Sequence, residues 1–198
     1  MNNIHYLTYP EIKELILNEP VKRTQALLAF QYASACRIGE ILKYKHKTTD
    51  GQEYVTQGLL KSNITIKDNE IMWQIPNFKC KKKDRVNKIG FVLKDKEQWL
   101  WEIIHSWITT SQEQIFQLSE SKARQLIREA LKPYGYASHT LRKSRGTHLS
   151  EWGYNVYEIM NYLGHIRMET GLSYIAATQM RKKIRGDQHE QSQKNSDI

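Results

Sequence analysis

Five side chains in this sequence have types and spacings suited to handling a phosphate. Arg37 stands in "ACRIGE", after the apolar run "ALLAFQYASAC" and before another apolar stretch. A guanidinium there is costly unless an anion meets it; an internal pair with Glu40 would serve, and so would a bound phosphate. His139 and Arg142, in "HTLRKS", are three apart and share a face if the segment is helical. An imidazole and an arginine fork converging on one point suit phosphate oxygens. His165 follows Leu163-Gly164, where a helix ends at a glycine, and a histidine at a helix end can act as a cap. Tyr174 comes nine residues later among Leu172, Ile175 and Ala176, placed either as a core tyrosine or as a nucleophile. Singly, each has an ordinary structural explanation.

Together they resemble the tyrosine recombinases of the phage integrase family. The spacing carries the likeness: 23 residues separate Arg142 from His165, and nine separate His165 from Tyr174. "ACRIGEIL" is similar to the family's first box. "THLSEWGYNVYEIMNYLGH", with Thr147-His148-Leu149 and Gly153, is similar to the stretch leading into its third. The likeness covers roughly residues 10–180.

What the resemblance implies is DNA strand transfer. Tyr174 attacks a phosphodiester, giving a 3′-phosphotyrosine and a free 5′-OH. The bond energy is kept, so no ATP is required; the resemblance also implies cleavage without a metal, and no cofactor is expected. A phenol, with a pKa near 10, needs its proton removed or its anion stabilised. Arg37 and Arg142 would clamp the non-bridging oxygens, His165 would donate a further hydrogen bond, and His139 would assist proton transfer or orient the phosphate. In the family a lysine in the turn between the second and third strands protonates the leaving oxygen. Here that turn is "FKCKKKDRV". Lys79 is the expected donor, and Lys81 replaces it if the loop is one residue shorter. Lys81, Lys82, Lys83, Arg85, Lys143 and Arg145 are the expected DNA-backbone contacts; the plain alternative for part of this cluster is solvated turn charge. The implied partner is double-stranded DNA, with a tetramer assembled on it and a monomer in solution. Three rival readings are a type IB topoisomerase, which uses a similar residue set, a non-catalytic DNA-binding module, and a structural protein whose Tyr174 is core. The integrase-like spacing and the "LGH" box favour the recombinase.

The elements that must position these residues are legible from period and punctuation. Thr8-Tyr9-Pro10-Glu11 forms a capping box opening a helix, and a second helix runs from about Pro20 through "TQALLAFQYASA". "ILKYK" is predicted helical and 45–60 a polar loop. "KSNITI" (61–66), "EIMWQIP" (70–76) and "RVNKIGFVL" (85–93) are predicted strands of a small antiparallel sheet. Helices then resume: one holding Trp99, Leu100, Ile103, Ile104 and Trp107, one capped by Ser119, one from His139 to Trp152, and one with the stripe Val156, Ile159, Met160, Leu163. A short helix carries Tyr174, with Leu172 and Ile175 expected to hold it against the domain. The expected fold is therefore α+β, mainly α: a helical catalytic core with a three-stranded antiparallel sheet, of the tyrosine recombinase type. A catalytic domain over 1–180 and a polar, flexible tail over 181–198 are expected. Only 36 residues precede Arg37, so the N-terminal clamp domain of the family is expected to be absent.

Composition agrees with a polyanion partner. Thirty Lys and Arg against 21 Asp and Glu give a net charge of +9. Cys36 and Cys80 show no metal-site spacing, and neither do His139, His148 and His165. No apolar run approaches a membrane span and the start lacks a signal-peptide core, so a cytoplasmic location is expected.

Overall fold

The computed structural model describes residues 6–47, 51, 53–76, 87–135, 139–164 and 171–175. The chain opens with helices α1 (Tyr9–Leu17) and α2 (Lys22–Ser34) and the single turn α3 (Ile38–Ile41). A hairpin of β1 (Tyr44–Lys47) and β2 (Glu53–Thr56) follows. Next comes an antiparallel sheet of β3 (Ile64–Lys67), β4 (Glu70–Pro76) and β5 (Asn87–Leu93), in the order β3-β4-β5. Helices α4 (Gln98–Thr110), α5 (Glu120–Leu131), α6 (Thr140–Glu151) and α7 (Val156–Leu163) come after it. Residues 171–175 are helical again.

Local chemistry sets these boundaries. Glu11 accepts hydrogen bonds from the Thr8 backbone N–H and hydroxyl, both at 2.7 Å, which starts α1 so that Ile12, Leu15 and Ile16 face inward. Helix α2 is buried on every face from Thr24 to Ser34 and forms the axis of the core. It packs against α4 and α6. In the sheet, period-two alternation turns Ile71, Trp73 and Ile75 of β4 inward, together with Lys88, Gly90 and Val92 of β5. Trp73 pairs with Gly90 because its indole lies across that residue; a Cβ there would meet Trp73 Nε1 at 2.6 Å.

The mainly helical α+β architecture with its three-stranded sheet is the one expected. Three local readings are corrected. The helix predicted over "ILKYK" stops at Ile41, because Leu42 is extended (φ −109°, ψ 150°) and its carbonyl accepts the Thr56 hydroxyl at 3.1 Å. The stretch expected as a loop over 45–60 contains the β1–β2 hairpin, paired from Tyr44–Thr56 to Lys47–Glu53. Its strands, "YKHK" and "EYVT", are too polar to show an apolar alternation. Similarly, 61–63 form a 3-10 turn and the strand begins only at Ile64. Trp101 is buried in the core, while Trp99 and Trp107 are partly buried against it. Among the described residues no helix is long and apolar enough to cross a membrane. The tail over 181–198 lies outside the described residues.

Candidate active site

The site is built where α2 ends. Ala35 there adopts the left-handed conformation (φ 49°), the only non-glycine to do so among the described residues. That conformation costs a residue with a Cβ roughly 1–2 kcal/mol. Its carbonyl accepts a hydrogen bond from Arg142 Nη1, and Arg142 Nη2 donates to the Leu163 carbonyl at 2.6 Å. Leu163 ends α7, and Gly164 closes that helix at φ 64°, where glycine carries no steric penalty. Buried Arg142 therefore ties the ends of α2 and α7 to α6. From α7 the Tyr162 hydroxyl also donates to the Ala33 carbonyl of α2. A guanidinium has five N–H donors, so these two bonds leave Arg142 capacity for an anion.

Arg37 follows the same turn. Its Nη1 donates to Glu40 Oε1 at 3.0 Å and its backbone N–H to Glu40 Oε2 at 2.7 Å. The side chain is still 24% exposed. The ordinary explanation for Arg37, a pair with Glu40, is thus present, but it engages only one guanidinium nitrogen. Lys88 reaches Glu40 Oε2 from β5. Burial pushes the Glu40 carboxyl up; Lys88, the Arg37 N–H and the Arg37 charge more than offset this and hold it below the usual carboxylate range.

His139 is the N-cap residue of α6, exposed at the surface. Partial burial, and then the charges of Arg142, Arg124, Arg37 and Lys143, push it below the ordinary histidine value of 6.5. At neutral pH it is uncharged and able to accept a proton.

Tyr174 is docked inside its own chain and only 6% exposed. Its ring lies against Gly146 of α6; a Cβ there would stand 2.7 Å from Tyr174 Cε1. It shares a small apolar cluster with Ala35, Leu149, Ile159 and Leu163. Gly171 seats the segment against Met160 and Val156, and Ile175 packs on the same cluster. Leu172, expected to help hold this helix, is exposed instead. Burial raises the Tyr174 pKa above 10, while Arg142 and Arg37 pull it back down. The same two guanidinium charges would stabilise a phenolate and an attacked phosphate.

Arg37 and Arg142 thus act electrostatically on both His139 and Tyr174. His165, Lys79, Lys81, Lys82, Lys83 and Arg85 lie outside the described residues. Lys143 is half-buried. Arg145, expected at a DNA backbone, is corrected: it is 3% exposed and its Nη1 donates to both oxygens of Glu97, at 2.8 and 2.9 Å. The rings of Tyr32, Trp152 and Tyr162 flank its guanidinium at 5.1–5.6 Å, so no face is left for a phosphate. His148 is a packing residue, its Nδ1 2.8 Å from the Tyr32 hydroxyl.

Residues 5–181 match the model of the phage integrase family. The chain belongs to that family. Three solved structures resemble this integrase-family chain in fold. The XerA recombinase is 18% identical with a TM-score of 0.66, over 93% of this chain and 65% of that one. The XerH site-specific recombinase, in a post-cleavage complex with palindromic difH substrate, is 16% identical with a TM-score of 0.64, over 94% of this chain and 54% of XerH. The catalytic domain of bacteriophage HP1 integrase is 16% identical with a TM-score of 0.56, over 88% of each chain. This chain thus spans about half the length of XerH. Among curated proteins nothing matches.

Sequence reasoning missed two residues of this candidate site, Lys88 and Gly146, and a third, Tyr162, that braces α7 against α2. Lys88 gave a misleading signal: Ile89, Phe91 and Leu93 form the more apolar alternate set of the strand, yet 88, 90 and 92 are the residues that face inward. Gly146, a glycine inside a helix, did point to a close approach. Tyr162 gave no signal.

Proposed function

We propose that this chain is the catalytic part of a site-specific DNA recombinase that cuts and rejoins DNA through Tyr174. The observation that carries the reading is the seat of Tyr174 on Gly146, one helical turn from Arg142, and on Ala35, whose carbonyl Arg142 bonds and which lies two residues from Arg37, with both guanidinium charges acting on its phenol. In the proposed step the Tyr174 oxygen forms a bond to phosphorus while the bond from phosphorus to the 5′-oxygen breaks. Arg37, Arg142 and His165 hold the non-bridging oxygens as charge builds on them. His139 assists transfer of the phenol proton or orients the phosphate, and Lys79, or Lys81 in a shorter turn, protonates the departing 5′-oxygen. Lys82, Lys83, Arg85 and Lys143 grip the flanking backbone. A second 5′-OH then attacks the phosphotyrosine and releases Tyr174. Duplex DNA as partner is supported by the net charge of +9 and by neighbours solved with DNA, XerH on difH and the Tn1549 integrase on circular intermediate DNA. Strand exchange between two duplexes implies four such sites assembled on DNA from monomers, in the cytoplasm.

The test is a suicide duplex nicked beside the cleavage position, analysed on a denaturing gel. The wild-type chain is expected to form a covalent adduct, Tyr174→Phe none, and Arg37→Ala or Arg142→Ala at least about 100-fold less in rate. Arginine variants that cleave at the wild-type rate would remove the phosphate clamp. DNA binding without any adduct would leave a non-catalytic module, and relaxation of supercoiled DNA without exchange would indicate a topoisomerase.

A further inference from the structure

Lys88 is the second residue of β5, five residues past Lys83 in sequence, and is only 2% exposed. A lysine so deeply placed is costly unless paired, and its partner is Glu40, itself buried. Glu40 therefore has two cations: Lys88 on Oε2 and Arg37 on Oε1. One carboxylate between two cations leaves one net positive charge. Of the two, Lys88 is enclosed and Arg37 is partly open, so the surplus is presented at Arg37. Without Lys88 the buried carboxylate would have Arg37 as its sole cation among the described residues. An arginine fork closes on a lone carboxylate in a two-pronged pair, which would draw Arg37 inward and cancel its charge.

We propose that Lys88 is a positioning residue for strand cleavage: it neutralises Glu40 from the sheet side and so leaves the Arg37 guanidinium, held to Glu40 through Nη1 alone, able to present its remaining donors to the scissile phosphate. This rests on the recombinase reading given above. Lys88 does not itself reach DNA, which separates it from Lys79 and Lys81, the proposed acids for the leaving oxygen. It also ties β5 to Glu40, the partner of Arg37.

The test compares Lys88→Met, Lys88→Gln and Lys88→Arg with the wild-type chain, by adduct formation on the suicide duplex at saturating DNA and by duplex affinity. Lys88→Met is expected to slow adduct formation at least tenfold while affinity changes less than threefold. Lys88→Arg, which restores a cation to Glu40, is expected to recover most of the rate. Lys88→Gln keeps a donor without the charge and is expected to stay slow; it also covers the case in which the methionine variant does not fold. A folded Met or Gln variant cleaving at the wild-type rate overturns the proposal. So does a lowered melting temperature with unchanged rates, the mark of a purely structural lysine. Absence of any adduct from the wild-type chain would instead defeat the recombinase reading. The ¹⁵N guanidinium resonance of Arg37, assigned by its loss in Arg37→Lys, then decides the positioning claim: Lys88→Met or Lys88→Gln is expected to shift it, and an unmoved resonance overturns the claim.

Discussion

His139 lies in the field of Arg142, Arg124, Arg37 and Lys143, and with partial burial this keeps it neutral in the free chain. A DNA phosphate in the same site reverses that field and favours the imidazolium. Binding should then take up a proton, so affinity should rise as the pH falls below the bound-state pKa. The gain should stop once the pH is under the free-state value, which lies below 6.5. Duplex affinity measured at constant ionic strength across this range tests the point, and His139→Gln should flatten the curve. A His139→Gln curve as steep as that of the wild-type chain would place the proton elsewhere. The contrast between Arg142 and Arg145 shows what a single residue cannot reveal. Both are arginines on α6, one turn apart, and the helix is buried from Thr140 to Ser150 apart from Lys143. With no polar face to locate, periodicity could not say that Arg142 serves the site while Arg145 is locked onto Glu97.

At the scale of elements, α6 and the 171–175 helix are fitted to each other at Gly146. In an isolated helix Gly146→Ala would stabilise by about 1 kcal/mol. Here the added Cβ would meet the Tyr174 ring at 2.7 Å, so that gain is expected to vanish or reverse in the wild-type background. In a Tyr174→Ala background the ring is gone, and the same substitution should stabilise by about 1 kcal/mol. Urea midpoints of the four proteins decide this; equal effects in both backgrounds would mean that Tyr174 does not rest on Gly146 in solution. The single Gly146→Ala variant is also expected to cleave more slowly while binding DNA normally. Elements with strong punctuation were legible in advance: β4 spans 70–76 as read, α5 starts behind Ser119, and α7 stops at Gly164. The β1–β2 hairpin was not, because its strands carry no apolar face. Nor was the shortness of α3, which depends on Thr56, a residue brought in from β2 to close it.

For the whole molecule the deciding quantity is charge, and where it sits. A net +9 includes cations that cannot meet DNA, since Lys88 and Arg145 are both buried in pairs with carboxylates. Duplex affinity should fall with salt at a log–log slope of roughly −0.9 for each phosphate contacted. Replacing Lys82 or Lys83 by alanine should each reduce that slope by about one, if these turn residues hold the backbone as proposed. Arg145→Met carries the same formal charge change but should leave the slope untouched. Its effect should fall on stability, because Glu97 is left buried and unpaired, a loss of about 3–5 kcal/mol. Measuring the slope at a temperature where the Arg145 variant is still folded separates the two kinds of cation. A slope reduced by one in that variant would put the Arg145 guanidinium back on the DNA; a slope unmoved by Lys82→Ala and Lys83→Ala would make the turn cluster solvated charge.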